Sequence, residues 1–274
     1  MDASGDRVKS PSARLAASAV ILRDCPHGIE AFMVVRHRAI DFASGALVFP
    51  GGKVDADDAD PAWATLAPQG IAENARALYV AAAREAFEEA GLMLARRRGS
   101  QSLLPAADTH RLVDRYRQPL IRGEATFHAL LRAEELLLAT ELMIPFAHWI
   151  TPEGLPKRFD THFFLLAAPV DQLGAHDGSE SVEGLWIAPQ QALREAEART
   201  RTLVFATRLN LMKLARYATV AAAVAATRAT PIVTVMPRLI ARTATSRTLR
   251  IPAEAGYGVT EVVVDAQTPE ANRS

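Results

Sequence analysis

Residues 84–92 read Arg84-Glu85-Ala86-Phe87-Glu88-Glu89-Ala90-Gly91-Leu92, and this stretch decides the fold prediction. On a helix, Glu88 and Glu89 follow Glu85 by three and four positions, so the three carboxylates project from one face. Like charges at this spacing repel unless a cation lies among them, and hard carboxylate oxygens suit Mg²⁺ or Mn²⁺. Gly91 is a residue type that ends helices in a left-handed conformation. The stretch therefore predicts a helix that carries a divalent-metal site and ends at Gly91.

A second signal lies upstream, where Phe49-Pro50-Gly51-Gly52 follows an apolar run. An acidic helix face alone is usually just solvated surface. Here five specified positions, Arg-Glu-x-x-Glu-Glu-x-Gly, arise by chance on the order of once in a million starting points. Proline and paired glycines predict a turn whose backbone approaches a ligand or metal closely. The two signals together favour a metal site that hydrolyses a diphosphate, with Gly51 and Gly52 beside it.

These two segments resemble the Nudix box, which is the signature of the Nudix hydrolase family. That box runs Gly, five residues, Glu, seven residues, then Arg-Glu-apolar-x-Glu-Glu-x-Gly-apolar. Here 31 residues separate Gly52 from Arg84, where the family has about 13, and Arg76 stands where counting back from Arg84 would place the first Glu. The sequence leaves open which carboxylate replaces it, and the candidates are Asp55, Asp57, Asp58 and Glu73.

The long spacing is similar to that of a Nudix subset resembling the peroxisomal coenzyme A diphosphatases, which carry an insertion between the glycines and the helix. The resemblance extends over about residues 12–200. Further similar elements are Trp149-Ile150-Thr151-Pro152, Arg158-Phe159-Asp160-Thr161-His162-Phe163-Phe164 and Glu183-Gly184-Leu185-Trp186.

The resemblance implies an α/β fold, namely a Nudix-type α/β/α sandwich with a mixed sheet, a helical insertion and a C-terminal extension. Residues 1–12 are polar and predict a disordered tail. The Nudix domain is expected over 13–200, with the insertion at about 55–75. Residues 201–274 are expected to form a helical and strand extension packed on this domain, as a subdomain, a dimer contact or a lid.

The resemblance also implies the catalytic roles. Glu85, Glu88 and Glu89 would hold one or more Mg²⁺ or Mn²⁺ ions, helped by the carbonyl of Gly51. Arg84 would orient the glutamates through a salt bridge. An acid outside the box often completes the site, and Glu180 and Glu183 are the candidates here. The base that deprotonates water would be Glu85 or Glu183.

For substrate binding, the expected backbone contacts are at Gly51 and Gly52. Arg36, Arg38 and Arg158 are the candidate cations for a substrate phosphate, because a guanidinium binds phosphate in a fork geometry. The resemblance points to coenzyme A or acyl-coenzyme A as substrate. One alternative is a broad diphosphatase for nucleotide sugars, dinucleotides or oxidised nucleotides. Another is a non-catalytic Nudix-like nucleotide sensor.

Composition limits the partners. The chain has 274 residues, 49% of them hydrophobic, and its 31 basic and 31 acidic residues balance. A neutral chain has no long-range field that favours polymeric nucleic acid or an anionic membrane. We therefore expect neither as a partner. The resemblance implies a small nucleoside diphosphate derivative instead, and a homodimer is left open. The single Cys25, with no export or membrane-spanning pattern, predicts a cytoplasmic protein, and the seven histidines are not spaced as a metal cluster.

Local patterns predict the remaining elements. Strands are expected at 16–23, 30–36, 46–49, 149–150, 161–168 and 186–187, and strand-like segments at 231–236, 239–251 and 257–264. Helices are expected from Pro61 to Pro68 and at 71–90, 189–198 and 203–228, with two more within 107–140.

Overall fold

The computed structural model describes residues 11–35, 45–67, 70–169, 172 and 184–265. Its strands are β1 (Arg14–Cys25), β2 (Gly28–Val35), β3 (Ala46–Val48), β4 (Gly51–Lys53), β5 (Ala95–Arg97), β6 (Leu136–Leu138), β7 (Ile144–Ile150), β8 (Phe159–Ala167), β9 (Gly184–Ile187), β10 (Thr202–Leu203), β11 (Thr234–Val235), β12 (Arg238–Arg242), β13 (Ser246–Arg250) and β14 (Glu261–Asp265). Its α-helices are α1 (Arg76–Ala90), α2 (Ala106–Leu112), α3 (Gln118–Ile121), α4 (Phe127–Ala133), α5 (Pro189–Glu197), α6 (Phe205–Leu214) and α7 (Val220–Ala229).

A nine-stranded mixed sheet forms the centre of the molecule. Its main path runs β10-β3-β2-β1-β8-β7-β11, while β4 pairs with β1 and β9 pairs with β2. The central pair, β1 and β8, is parallel, whereas β1–β2 and β7–β8 are antiparallel. This arrangement confirms the predicted α/β class with a mixed sheet.

Each face of the sheet carries its own hydrophobic core, because strand side chains alternate between the two faces. Along β1, Ala17, Ala19 and Ile21 enter the core that contains α1. Val20 and Leu22 enter the opposite core, which contains α6 and α7. Two layers of helices therefore enclose the sheet, and α1 lies where β4 meets β1.

The C-terminal residues pack into the second core. Strands β12, β13 and β14 form a separate antiparallel sheet. Tyr257 is 2% exposed, and its hydroxyl accepts a hydrogen bond of 2.9 Å from the indole of Trp149 on β7 and donates one of 2.8 Å to Asn210 on α6. A buried phenol needs such partners. This network holds the C-terminal sheet beside the end of β7.

Several local expectations need correction. Gly51–Lys53 is the strand β4 and not a turn. Leu136–Leu138 is a strand and not helix, because α4 ends at Ala133 and Glu135 adopts a left-handed φ of 54°. The predicted helix 203–228 is two helices, since Thr219 caps α7 by accepting from the amide of Ala222.

Other differences are smaller. A 3₁₀ turn at Glu73–Ala75 precedes α1, which starts at Arg76 and not at 71. The insertion helix is a 3₁₀ helix over Pro61–Thr65, capped by the side chain of Asp60 as its sequence predicts. No helix in the described part of the chain is both long and apolar enough to cross a membrane.

Candidate active site

The three box glutamates lie on the second half of α1. The helix ends at Gly91, whose φ of 64° is left-handed, and its amide donates to the carbonyl of Phe87 at 3.0 Å. Glu88 and Glu89 occupy the last turn, where the helix dipole disfavours negative charge. This arrangement costs stability unless positive groups lie nearby.

Arg84 supplies part of that positive charge. Its Nε and Nη2 donate to the two oxygens of Asp58 at 3.0 Å each, and its Nη1 donates to Glu85 at 2.9 Å and to Glu88 at 3.1 Å. The guanidinium also donates to the carbonyl of Lys53. Both Arg84 and Asp58 are buried. The guanidinium therefore fixes the positions of two glutamates from behind and does not line the cavity.

Asp58 is the carboxylate that sequence reasoning failed to single out. It follows Gly52 by six positions, which is the spacing of the Gly and the first Glu in the Nudix box. Arg84 follows Asp58 by 26 positions, so the insertion lies between them. Counting back from Arg84 leads to Arg76, whereas counting forward from Gly52 leads to Asp58. The spacing from Gly52 was therefore the sequence signal that identifies Asp58.

The other candidates for this position make different contacts. Asp55 lines the cavity, with an oxygen 3.7 Å from Nη2 of Arg84. Asp57 accepts a hydrogen bond from the indole of Trp63 through its backbone carbonyl. Glu73 lies exposed in the 3₁₀ turn before α1. Asp58 is the member of this set that forms a bidentate pair with Arg84.

The insertion packs against α4 through Trp63, which is 1% exposed. Its ring lies 5.9 Å from the ring of Phe127 on α4. Its Nε1 donates at 2.7 Å to the carbonyl of Asp57. Because the buried indole of Trp63 binds the backbone of Asp57, it also fixes the position of the next residue, Asp58, opposite Arg84.

The glycine strand lies directly against the glutamates. The amide of Gly51 donates to Oε2 of Glu89 at 2.9 Å. A Cβ at Gly52 would lie 2.8 Å from Cδ of Glu85, and a Cβ at Gly51 would lie 2.7 Å from the carbonyl of Ala17. Neither glycine has a positive φ. These positions therefore require glycine for close approach to Glu85 and to β1, and not for turn geometry.

Gly52→Ala is expected to displace Glu85 and to reduce diphosphate hydrolysis at least about tenfold, because a 1 Å misplacement at an active site has large kinetic effects. Steady-state kinetics would measure this. Gly99→Ala is a control for activity alone: nothing lies within 4 Å of the added methyl, and the left-handed φ of 83° costs stability away from the site. Equal activity of Gly52→Ala and wild type would contradict the close packing of β4 on Glu85.

Burial of the carboxylates sets the electrostatics. Burial raises the pKa of Glu85 to about 8; the charge of Arg84 opposes this rise, and those of Glu89 and Glu88 add to it. Burial also raises the pKa of Glu88. Burial opposes the charged form of Arg84, but Asp58 and the two glutamates keep its pKa above the ordinary value. The cluster thus holds more negative charge than its guanidinium neutralises.

This donor set fits a divalent ion of the Mg²⁺ or Mn²⁺ type. The donors are hard oxygens, and the buried excess of carboxylates is the charge that a dication compensates. Arg84 binds one oxygen of Glu85 and one oxygen of Glu88, and a carboxylate has two. Mg²⁺ retains waters and needs only one or two protein carboxylates, so a closed cage of ligands is unnecessary.

We expect the metal-free chain to lose stability as the pH rises. The pKa of Glu85 is about 8 in the folded chain against an ordinary value of 4.5, so the folded state binds this proton more tightly. Its contribution to stability is therefore complete below about pH 4.5 and is lost as the pH rises through about 8.

Mg²⁺ would bind the ionised form of the site, so the melting temperature gained on adding Mg²⁺ should be larger at about pH 8.5 than at about pH 6. Thermal unfolding followed by circular dichroism with and without Mg²⁺ measures this difference. Glu124→Gln, a change on the exposed surface, should behave as wild type. Equal gains at the two pH values would contradict the raised pKa.

Arg117 is a further residue that the sequence gave no reason to select. Its Nε donates to the carbonyl of Glu88 at 2.7 Å, and its Nη2 donates to that of Glu89 at 3.2 Å. The last carbonyls of an α-helix lack an amide donor within the helix, and Arg117 supplies donors to these two. Arg117 thus places a positive charge at the negative end of α1, behind the glutamates.

A cavity of about 550 Å³ adjoins Glu85 and the glycine strand, while Glu88 and Glu89 do not line it. Its lining includes Glu85 and Asp55 together with Gly51 and Gly52. Apolar side chains from the main sheet and α6 form much of the wall, and the C-terminal sheet supplies the rest. The lining also includes Lys53, Trp149, Phe163, Phe205, Leu239, Arg247 and Leu249.

Not every predicted substrate residue reaches this cavity. Arg158 donates from Nε to the carbonyls of Thr151 and Pro152 and from Nη1 to that of Pro11, and it does not line the cavity. Arg36, Arg38, Glu180 and Glu183 lie outside the described residues, as does most of the 1–12 tail.

Comparison with known proteins identifies the class that this fold and site define. The family model described as the NUDT19 Nudix domain matches residues 68–206, which is half of the chain. The chain therefore belongs to the Nudix hydrolase family, as residues 84–92 predict. The matched segment includes α1 and its glutamates.

Two curated relatives are similar to this chain. The "Putative nudix hydrolase 7" of Caenorhabditis elegans is 30% identical over 184 residues, which cover 66% of this chain and 54% of the relative. The "Acyl-coenzyme A diphosphatase NUDT19" of Xenopus laevis is 21% identical over 206 residues, which cover 61% of this chain and 54% of the relative. The chain thus spans about half the length of the curated relatives it matches.

Solved structures support the fold. A crystal structure of a Nudix hydrolase from Alicyclobacillus acidocaldarius superposes with a TM-score of 0.57 at 24% sequence identity, covering 78% of this chain and 96% of that one. This likeness concerns the arrangement of helices and strands.

Proposed function

We propose that this chain is a metal-dependent diphosphatase that hydrolyses coenzyme A or acyl-coenzyme A. Water would add across the diphosphate to give a 4′-phosphopantetheine and adenosine 3′,5′-bisphosphate. The observation that carries the proposal is the cavity, whose lining combines the glycine strand and Glu85 with apolar and aromatic side chains. Such a shape suits a diphosphate attached to a long, weakly polar arm.

Residues of the chain would act on the diphosphate as follows. The box glutamates Glu85, Glu88 and Glu89 would hold a divalent ion, which when bound supplies charge neutralisation at the phosphates and a more acidic water. Arg84 keeps Glu85 and Glu88 in position. The amide of Gly51 orients Glu89. Glu85 lines the cavity next to the glycine strand and would take the proton from the attacking water.

The substrate class is supported by the lining of the cavity. Lys53 and Arg247 place two basic side chains along it, where a phosphate of the adenosine half would be neutralised. Trp149, Phe163 and Phe205 contribute aromatic surface. Leu239 and Leu249 on the C-terminal sheet complete an apolar wall that suits a pantetheine arm or an acyl chain. The Xenopus relative is named an acyl-coenzyme A diphosphatase.

A substrate panel tests the proposal. kcat/KM would be measured with Mg²⁺ or Mn²⁺ for coenzyme A, acyl-coenzyme A esters of increasing chain length, ADP-ribose, NADH and nucleoside triphosphates. The proposal expects the coenzyme A compounds to rank first. A higher rank for ADP-ribose or the other nucleotides would make the chain a broad nucleotide diphosphatase. Binding without any turnover would make it a nucleotide sensor.

Leu249→Trp is expected to lower kcat/KM for long-chain acyl-coenzyme A about tenfold or more, relative to free coenzyme A. The larger ring fills the apolar part of the cavity, and overfilling a packed site costs about 1–3 kcal/mol. Val263→Trp is the matched control, because Val263 lies 64% exposed on the same sheet. An equal loss for short and long substrates would contradict the placement of the acyl chain against β13.

A further inference from the structure

A second cluster of metal-ligating side chains lies on β7 and β8, away from the glutamates. His148 and His162 are directly opposite each other in the antiparallel pair, and Asp160 precedes His162 by two positions on the same face. The two imidazole rings stack with centroids 4.0 Å apart. Ligand atoms of the three side chains all lie within 4.8 Å of one another.

Both imidazoles point a nitrogen at one carboxylate oxygen. Nε2 of His148 lies 2.5 Å from Oδ1 of Asp160, and Nε2 of His162 lies 3.5 Å from the same atom. Protonating both rings would place two cations in stacking contact. One divalent ion among the three atoms satisfies both nitrogens and the carboxylate without that repulsion.

We infer that His148, Asp160 and His162 form a binding site for a borderline divalent transition-metal ion of the Zn²⁺, Co²⁺ or Fe²⁺ class. Two imidazoles with one carboxylate suit these ions better than Mg²⁺, which prefers oxygen ligands. Zn²⁺ binds nitrogen and oxygen at about 2.0–2.2 Å, so tetrahedral ligands lie about 3.4 Å apart. The pair of His162 and Asp160 already has this separation, and His148 needs to move by about 1 Å.

The surroundings support metal binding. Nδ1 of His148 lies 2.8 Å from Oγ1 of Thr234 on β11. Metal-bound histidines characteristically use their second ring nitrogen in such a contact, which fixes the ring. The side chains of His148, Asp160 and His162 are 15%, 30% and 30% exposed, so an ion has a path from solvent and room for a water ligand.

This site is separate from the box glutamates. Gly52 on β4 pairs with Ala17 on β1, and Ala17 pairs with His162 on β8, so the three residues lie on one face of the sheet. Neighbouring strands are about 4.8 Å apart, which places His162 roughly 10 Å from Gly52. A metal here would join β7 to β8 and would leave the contacts of Arg84 with the glutamates unchanged.

Cobalt titration tests the inference. The full chain, freed of metal with a chelator and then supplied with excess Mg²⁺ for the glutamates, would be titrated with Co²⁺ while the visible d–d absorbance is recorded. We expect one bound equivalent in the wild type, in the exposed control His27→Ala and in Glu89→Gln. His148→Ala and His162→Ala should lose this absorbance.

Thr234→Val provides a milder variant, because removing a contact to the second ring nitrogen lowers metal affinity about 10–100-fold. It is expected to bind Co²⁺ more weakly while its circular dichroism spectrum stays that of wild type. The inferred metal site would be wrong if the wild type gave no Co²⁺ absorbance. It would also be wrong if the absorbance persisted in both histidine variants. Absorbance lost in Glu89→Gln but retained in the histidine variants would place the ion at the glutamates and would also overturn it.

Discussion

Glu89→Gln is expected to lower kcat/KM for diphosphate hydrolysis at least about 100-fold. The substitution keeps the shape of the side chain but removes a charge that the metal site needs. Metal ions contribute several kcal/mol to charge stabilisation in such reactions, and each 1.36 kcal/mol is a factor of ten in rate. Glu88→Gln should lower kcat/KM for the same reason. Steady-state kinetics at saturating Mg²⁺ would measure both.

The control for these variants is Glu124→Gln, because Glu124 is an exposed residue paired with Arg122 on the surface. It should retain wild-type kcat/KM. Circular dichroism should show all of the variants folded, since Glu89 lies at the end of α1 and keeps an oxygen that accepts from Gly51. Activity of Glu89→Gln within threefold of wild type would remove this glutamate from the metal site.

Arg84→Met is expected to lower the free energy of unfolding by about 3–5 kcal/mol, because removing one partner of a buried ion pair leaves an uncompensated charge. Asp58 is 2% exposed, and both its oxygens accept hydrogen bonds from this guanidinium. For a chain of this size the melting temperature should fall by roughly 6–20 °C. Chemical denaturation and thermal melting would measure the two quantities.

Two further variants isolate this pair. Arg122→Met removes an exposed guanidinium with a surface partner, and the melting temperature should stay at the wild-type value. Arg84→Met combined with Asp58→Leu should be less destabilised than the sum of the single variants, because both partners are gone. Additive losses would show that Arg84 and Asp58 do not interact in the folded chain.

The sequence predicted the fold class and α1 well because both depend on local patterns. The spacing of Glu85, Glu88 and Glu89, followed by Gly91, describes one helix and its end, and the structure has both. The strands at 16–23 and 30–36 were recognisable from runs of β-branched and apolar residues. The assignment of particular residues to metal and substrate stays a prediction.

Contacts between distant segments were not predictable in the same way. The bidentate pair of Asp58 with Arg84 bridges 26 positions, and an insertion concealed its register. Histidines 14 positions apart, at 148 and 162, become neighbours only because β7 and β8 pair in one register. Gly51 and Gly52 pointed to a special backbone, but only the sheet pairing reveals that Glu85 and β1 are what they approach.

The C-terminal extension illustrates the same limit. Its alternating apolar residues predicted strands. Its position beside the main sheet was not predictable, because it depends on hydrogen bonds of one buried tyrosine. Tyr257 joins β7 to α6 by hydrogen bonds and so brings the C-terminal sheet to the cavity. Leu239 and Leu249 of the C-terminal sheet line the cavity, and the role of this extension as a subdomain, a dimer contact or a lid stays a prediction.

The most direct measurement is the release of 4′-phosphopantetheine from coenzyme A by the full chain, followed by mass spectrometry with Mg²⁺ and then with excess chelator. The account predicts that this product and adenosine 3′,5′-bisphosphate form in equal amounts with Mg²⁺, and that formation stops in the chelator and in Glu89→Gln. A chain that binds coenzyme A but releases neither product at any Mg²⁺ concentration would contradict it.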